Sequence, residues 1–202
     1  IGERAFDGCE SLTSVTIPGS VTSIGYWAFG GCSSLSSVTI SNGVTRIGDR
    51  AFRSCISLTS VTIPASVTSI ESQAFKGCSS LQSVIIADGV SGIEGGAFNN
   101  CPSLVDFDLG NNNTNYGLAD GCLFNKDKTN LIQVPASKNG HYTIPESVIN
   151  IGAYALGGCT KLTSVTISNS VITIGAFAFF DCSSLTSVTI PNSITRIEDR
   201  AF

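Results

Sequence analysis

One unit of this chain reads Cys32-Ser-Ser-Leu35-Ser-Ser-Val38-Thr-Ile40-Ser-Asn-Gly-Val44-Thr-Arg-Ile47-Gly-Asp-Arg-Ala51-Phe52, and close variants of it fill most of the sequence. The unit repeats every 23 residues, which is clearest in a cysteine column. That column comprises Cys9, Cys32, Cys55, Cys78, Cys101 and, after a longer gap, Cys159 and Cys182. A second column comprises Phe6, Phe29, Phe52, Phe75, Phe98, Leu156, Phe179 and Phe202. Self-similarity at such a period predicts a solenoid, in which each unit forms one coil.

The first half of each unit is predicted to be a β-strand. Val38 and Ile40 share one face of an extended strand, and Thr39 points to the other face. With Leu35 they give the spacing L-x-x-V-x-I, the strand signature of a leucine-rich repeat. The second half predicts a short extended piece followed by a single helical turn at the Ala-Phe pair. We therefore predict a right-handed leucine-rich-repeat coil with one parallel β-sheet, and with short extended or single-turn helical segments on the opposite side.

The unit from Leu58 to Cys78 follows the pattern L-x-x-V-x-I-P-x-S-V-T-x-I through A-F-x-x-C nearly throughout. In this pattern, which covers essentially the whole chain, the sequence resembles the BspA-like leucine-rich repeats, the type 5 class. The resemblance implies a solenoid fold. It also implies an extracellular or cell-surface location, because members of the family are typically secreted or surface proteins of microbes, and it implies adhesion to a host or matrix protein.

The repeat is interrupted once, because Phe98 and Leu156 enclose one coil that is 12 residues too long. Within it, the apolar segments 122–124 and 131–134 flank the polar run 125–130, which predicts a β-hairpin. The resemblance includes such an Asp-Gly-x-Leu-Phe insert, here at 120–124. We predict one domain over 1–202, with regular repeats at 1–103, an irregular coil with the hairpin at 104–145, and regular repeats at 146–202. Because neither end has the polar cap of a solenoid, we expect a fragment of a longer array.

Composition excludes several classes of partner. The formal net charge is −4, with 11 Lys and Arg against 15 Asp and Glu, and no stretch of the sequence is a basic cluster. This argues against a nucleic acid as the partner. Apolar runs are short and never approach the roughly 18 residues of a membrane span, so none is predicted.

The eight cysteines do not predict a metal site. Cys-x-x-Cys pairs are absent, and thiols in one line cannot form a tetrahedral site. Directly stacked positions also fit disulfide geometry poorly. We predict small, buried, reduced side chains, and we expect Cys122, which is out of phase in the hairpin, to be the most exposed. With one histidine and no catalytic motif, we predict no enzyme activity, no metal and no cofactor.

The outward strand face is the candidate binding surface. It carries a serine column of Ser14, Ser37, Ser60, Ser83, Ser164 and Ser187 beside a threonine column of Thr16, Thr39, Thr62, Thr166 and Thr189. One interpretation is structural, since Ser-Thr ladders stabilise neighbouring strands modestly. The other is a flat surface of hydroxyl groups that binds a protein or a glycan.

Two irregularities are the candidate ligand sites. Asp106 and Asp108 replace the Ser and Thr of one strand, and His141 enters the serine column of the next strand. The register predicts that Asp106 lies beside His141 and Asp108 beside Thr143. Such a patch would attract a basic protein surface, or calcium if further oxygen ligands converge. Its structural alternative is a cross-strand Asp–His pair that tolerates the longer coil.

The second irregularity is Tyr26-Trp27, which is either an exposed interaction anchor or a pair that packs on the neighbouring coil. Together these features predict a non-enzymatic interaction module that resembles an adhesin segment, with a protein partner first and a glycan second. The alternative is a structural spacer that displays another domain, and an enzyme is the remote third.

Overall fold

The computed structural model describes all residues 1–202 and forms a β-solenoid of eight coils, which confirms the predicted fold class. Each coil contains one longer strand on the same side of the solenoid. These strands are β1 (Ser14–Ile17), β3 (Ser37–Ile40), β5 (Ser60–Ile63), β7 (Ser83–Ile86), β9 (Asp106–Leu109), β13 (Gly140–Thr143), β15 (Leu162–Thr166) and β17 (Ser187–Thr189).

The longer strands pair in parallel, with each residue opposite its equivalent in the next repeat. Val15 lies opposite Val38, for example, and Val61 lies opposite Val84. In β3 and β5 the apolar residues are buried and the Ser and Thr residues are exposed, in strict alternation. The hydrogen-bonded groups are β1–β3, β5–β7–β9 and β13–β15–β17. This register follows from the sequence, since a slip of one residue would turn every apolar side chain outward.

A second row of parallel strands was not predicted as a sheet. It is built from two-residue strands, namely β2 (Ser23–Ile24), β4 (Arg46–Ile47), β6 (Ser69–Ile70), β8 (Gly92–Ile93), β14 (Asn150–Ile151), β16 (Thr173–Ile174) and β18 (Arg196–Ile197). The prediction of one parallel sheet is therefore incomplete. The short extended pieces pair with their equivalents in the next coil, because stacking brings their backbone groups within hydrogen-bonding distance.

The predicted single helical turn at the Ala-Phe pair is absent, and the structure contains no helix. The residues two positions before and two positions after Phe52 have left-handed backbone conformations, Arg50 with φ 56° and Ser54 with φ 60°. Such residues cannot continue a right-handed helix. The segment bonds between coils instead, as when the Phe52 amide donates to the Ala74 carbonyl at 2.7 Å. We call the edge formed by residues 49–54 and their repeat equivalents the turn edge.

The phenylalanine column forms a continuous stack inside the turn edge. Ring centroids are 4.9 Å apart for Phe6 and Phe29, and 5.2 Å apart for both Phe29–Phe52 and Phe52–Phe75. The planes differ by no more than 7° along the stack as far as Phe98. Each of these rings from Phe29 onward is buried, so the N-terminal coils share one apolar core.

The cysteine column packs beside the rings, and all eight thiols are free. The Cys55 thiol donates to the Phe29 carbonyl at 3.2 Å, and the Cys78 thiol donates to the Phe52 carbonyl at 3.2 Å. The expectation that Cys122 is the most exposed cysteine was wrong. Cys122 is fully buried, whereas Cys9, which lies in the first coil, is exposed.

The insert is a three-stranded antiparallel meander. Its strands are β10 (Tyr116–Ala119), β11 (Cys122–Asn125) and β12 (Asn130–Gln133). The predicted hairpin is confirmed as β11–β12, and β10 is an additional strand. β12 also pairs in parallel with β14, so it takes the place of the short strand in its coil.

β11 divides the core of the solenoid into two clusters. Leu123 packs into the cluster of the N-terminal coils, whereas Cys122 and Phe124 pack into the cluster of the C-terminal coils. Both faces of β11 are thus buried, which explains its uninterrupted apolar run and the burial of Cys122. At the turn edge the coils on either side of the insert contact each other directly, with Gly96 against the Tyr154 ring.

Candidate functional site

The hydroxyl columns of the strand face are exposed in β1, β3 and β5. Their side chains, such as those of Ser37 and Thr39, make no hydrogen bonds within the protein. The hydroxyls that link these coils belong to other columns; Thr45, for example, donates to the Thr22 carbonyl at 3.0 Å, and Thr68 donates to the Thr45 carbonyl at 3.1 Å. The strand-face hydroxyls of these three coils therefore form no ladder, and they are available to solvent or to a ligand.

The two aspartates project from the exposed face of β9. Asp106 lies opposite Ser83 and Asp108 lies opposite Ile85 in the parallel pair with β7. Both are exposed, and neither forms a salt bridge. The residue before β9, Val105, is also exposed. β9 thus presents two uncompensated negative charges beside apolar surface.

His141 lies in the hydroxyl columns of β13 and β15. Its Nδ1 is 2.8 Å from the Ser164 Oγ, and its Nε2 is 3.1 Å from the Thr143 Oγ1 and 3.3 Å from the Thr166 Oγ1. The imidazole ring therefore bridges two strands and contacts three hydroxyl groups. Its side-chain partners are hydroxyls rather than a carboxylate.

The predicted contact between Asp106 and His141 is wrong, and so is that between Asp108 and Thr143. No Cα atom of β9 lies within 8 Å of a Cα atom of β13. The turn between β10 and β11 lies between them: a Cβ added at Gly121 would lie 3.3 Å from the Val105 carbonyl oxygen, and Asp120 in the same turn contacts Lys138, which precedes β13. The longer coil supplies this additional layer.

That turn adds two residues that the sequence analysis missed. The Lys138 ammonium group donates to the Asp120 carbonyl at 2.6 Å and forms a salt bridge with the Asp120 carboxylate at 2.5 Å. The Asp120-Gly121 dipeptide, which is typical of tight turns, was the available signal. We call Asp106, Asp108, Asp120, Lys138, His141 and Thr143 the insert patch. Its two predicted halves flank the turn instead of touching.

Tyr26 and Trp27 lie on the turn edge, away from the insert patch. Their rings meet edge to face at 6.3 Å, and both side chains are half-buried. The guanidinium groups of Arg4 and Arg50 lie 5.6 and 5.8 Å from the Tyr26 ring, and that of Arg53 lies 5.2 Å from the Trp27 ring. The pair packs against the neighbouring coils through cation–π contacts, as the structural interpretation expected, while part of each ring stays open to solvent.

The buried thiols are poor nucleophiles. Burial raises the pKa of the Cys55 and Cys101 thiols to about 12, and it raises the pKa of Cys78 and Cys159 well above the usual value. Because the thiolate is the reactive form of cysteine, these side chains are inert at neutral pH. The structure gathers no group of three or more His, Cys, Asp or Glu side chains that could hold a metal ion.

Stacked coils with L-x-x-V-x-I strands define a leucine-rich-repeat solenoid. The chain belongs to the family described as BspA type leucine rich repeat region, whose model matches residues 1–128 and 136–202 in six copies. The family is generally a non-enzymatic repeat scaffold, and leucine-rich-repeat domains generally mediate protein interactions. The structure contains no helix that could span a membrane.

Three solved structures resemble this chain. A leucine-rich repeat protein from Eubacterium ventriosum is 34% identical with a TM-score of 0.91, over 98% of this chain and 52% of that one. The pneumococcal vaccine antigen PcpA is 27% identical with a TM-score of 0.68, over 90% of this chain and 51% of that one. A leucine rich cell surface protein from Faecalibacterium prausnitzii is 28% identical with a TM-score of 0.54, over 100% of this chain and 73% of that one.

This chain spans about half the length of the first two structures. No curated protein matches its sequence.

Proposed function

We propose that this chain is a non-enzymatic, adhesin-like module at an extracellular or cell surface, and that it binds a host or matrix protein through the insert patch and the adjoining strand face. Two similar structures support the location, since one is described as a vaccine antigen and another as a cell surface protein.

The observation that carries the proposal is the contrast between the regular strand face and the insert patch. The regular face presents hydroxyl groups with no net charge. At the insert, Asp106 and Asp108 are exposed and free of salt bridges, and Asp120 is 77% exposed in its side chain although it pairs with Lys138. A basic protein surface complements this arrangement, because opposite charges steer encounter and fix register.

The strand face is also preorganised. Its side chains project from strands held by parallel hydrogen bonds over a buried core. Binding therefore orders little backbone, which reduces the entropic cost of association.

The test compares two variants with the same loss of charge. Asp106→Ser with Asp108→Thr restores the regular columns, whereas Asp127→Ser with Glu146→Thr removes two exposed carboxylates outside the insert patch. Binding is measured on an array of purified extracellular-matrix proteins and on a glycan array.

We expect saturable binding to a matrix protein that weakens about tenfold or more in the first variant and stays unchanged in the second, at an unchanged melting temperature. Equal losses in both variants would show a general charge effect and not a site. No saturable binding to either array would favour the structural spacer, and binding to glycans alone would favour the hydroxyl columns as a carbohydrate surface.

A further inference from the structure

The turn edge gathers basic side chains that lie far apart in the sequence. Arg53 and Lys76 occupy equivalent positions in successive coils, and the Ser54 amide donates to the Lys76 carbonyl at 2.8 Å. Stacked coils place such residues about 4.8 Å apart. Neither side chain forms a salt bridge, whereas the adjacent Arg50 pairs with Asp49 at 2.8 Å.

Aromatic rings border the two cations on both sides. The Arg53 guanidinium lies 5.2 Å from the Trp27 ring centroid, and the Lys76 ammonium lies 5.6 Å from the Phe180 ring and 5.9 Å from the Tyr154 ring. Phe180 is 39% exposed. Residues 154 and 180 belong to coils that follow the insert. They lie next to residue 76 because the coils before and after the insert contact each other directly at the turn edge.

The arrangement is electrostatically incomplete. Burial lowers the pKa of Lys76, and the neighbouring charges of Arg53 and Arg50 lower it further, with Asp181 as the opposing carboxylate. Two like charges held in adjacent coils repel each other. An anion between them would relieve that repulsion.

We propose that Arg53 and Lys76, bordered by Trp27 and Phe180, bind the anionic groups of an acidic polysaccharide that lies along the turn edge. The arginine fork suits a sulfate or carboxylate group, and the lysine acts as a point charge. The exposed parts of the rings contact the apolar faces of the sugar rings. This site is on a different surface from the insert patch, and it does not depend on the function proposed above.

Two features favour a polysaccharide over a protein. The site is a narrow strip only two adjacent repeat positions long, whereas a stable protein interface takes about 800 Å² from each partner. An extended peptide would normally add backbone hydrogen bonds to a free edge. Every amide from Arg50 to Cys55 already donates within the chain, so recognition here is left to side chains.

Trp27 is the only tryptophan of the chain, so its fluorescence reports on the site directly. The probes are dextran sulfate, polygalacturonate, neutral dextran and poly-glutamate, each titrated at low ionic strength. We expect a saturable change in fluorescence with dextran sulfate or polygalacturonate, none with neutral dextran, and weakening of the affinity as salt is added.

The matched variants are Arg53→Gln with Lys76→Gln and, as a control, Lys161→Gln with Arg196→Gln, which removes the same two residue types outside the turn edge. We expect the affinity to fall about tenfold or more in the first variant only. The Asp106→Ser with Asp108→Thr variant should bind the polysaccharide as the unmodified chain does.

Three outcomes would overturn the proposal. The first is no saturable response to either acidic polysaccharide, and the second is an equal loss of affinity in both Gln variants. The third is tighter binding of poly-glutamate than of the polysaccharides, which would assign the site to an acidic peptide. A melting temperature and circular dichroism spectrum equal to those of the unmodified chain establish that the first variant is folded.

Discussion

Truncation of Phe52 to alanine tests whether the ring stack carries the stability of the solenoid. The ring is fully buried, and it lies between Phe29 and Phe75 with both centroid distances at 5.2 Å and planes within 6°. Removal of a buried Phe side chain costs about 3–5 kcal/mol through lost transfer energy and the cavity left behind. That range already includes aromatic contacts, and two stacked neighbours, worth about 0.5–1.5 kcal/mol each, place Phe52 in its upper part. We therefore expect a loss near the upper end, about 4–5 kcal/mol.

The measurement is urea unfolding followed by circular dichroism, with native-state amide exchange to locate the damage. Phe6→Ala is the matched control, because the Phe6 ring stacks on one neighbour and is 39% exposed in this chain. It should cost about 1–2 kcal/mol. Exchange should accelerate in the coils next to Phe52 and stop at β11, which separates the two core clusters.

A loss below about 1 kcal/mol for Phe52→Ala would refute the reasoning, because the ring would then contribute no more than a surface side chain. Equal acceleration of exchange in β15 and β17 would refute the expectation that the effect stops at β11. It would show that the solenoid unfolds as one cooperative unit in spite of the division of its core.

Three further predictions follow from the thiols and the turn edge. Cys9 should react fastest with a maleimide in the folded protein and Cys122 should be protected, as measured by mass spectrometry of peptides at early times; rapid labelling of Cys122 would contradict its burial. The free energy of unfolding should fall as pH rises from about 9 through about 12. Burial, with a smaller effect of the neighbouring thiol, raises the pKa of Cys55 from 9.0 to about 12, so the folded state binds this proton more tightly than the unfolded state does. Urea midpoints measured across this pH range should show the fall, and Cys55→Ala should make the midpoint depend less steeply on pH. A midpoint that does not change with pH would exclude the coupling between Cys55 ionisation and stability. Ser54→Gly should stabilise by about 0.5–1 kcal/mol, since Ser54 has φ 60° where the next coil has Gly77; a lower melting temperature would show that the serine side chain contributes more than the backbone strain costs.

The sequence predicted the fold and the strand register because both depend on columns of identical residues. Val38 and Val61 recur at the same phase with alternating polar neighbours, and only one pairing buries all of them. The turn edge was predicted less well. Its left-handed backbone is marked by glycine in some coils, as at Gly77, but the equivalent Ser54 carries no such signal.

The insert shows where column reasoning fails. β11 has no counterpart in any other coil, so no repeat position indicated which of its side chains are buried. The run Cys122-Leu123-Phe124 was interpreted as one strand of a hairpin with Cys122 exposed, but an uninterrupted apolar run also fits a strand covered on both faces. The choice between these depended on the position of the β10–β11 turn between β9 and β13. That position also separated Asp106 from His141.

The basic pair on the turn edge was missed for the opposite reason. Arg53 and Lys76 belong to a repeat column, but a search for a basic cluster along the sequence compares neighbours in the chain and not neighbours in the stack. In a solenoid, residues 23 positions apart are closer in space than residues four or five positions apart along a strand. Charge in such a protein must therefore be summed down columns. Summed that way, a chain with net charge −4 presents the unpaired Arg53 and Lys76 on the turn edge and the unpaired Asp106 and Asp108 on the strand face. Partners of opposite charge can then bind to the two surfaces independently.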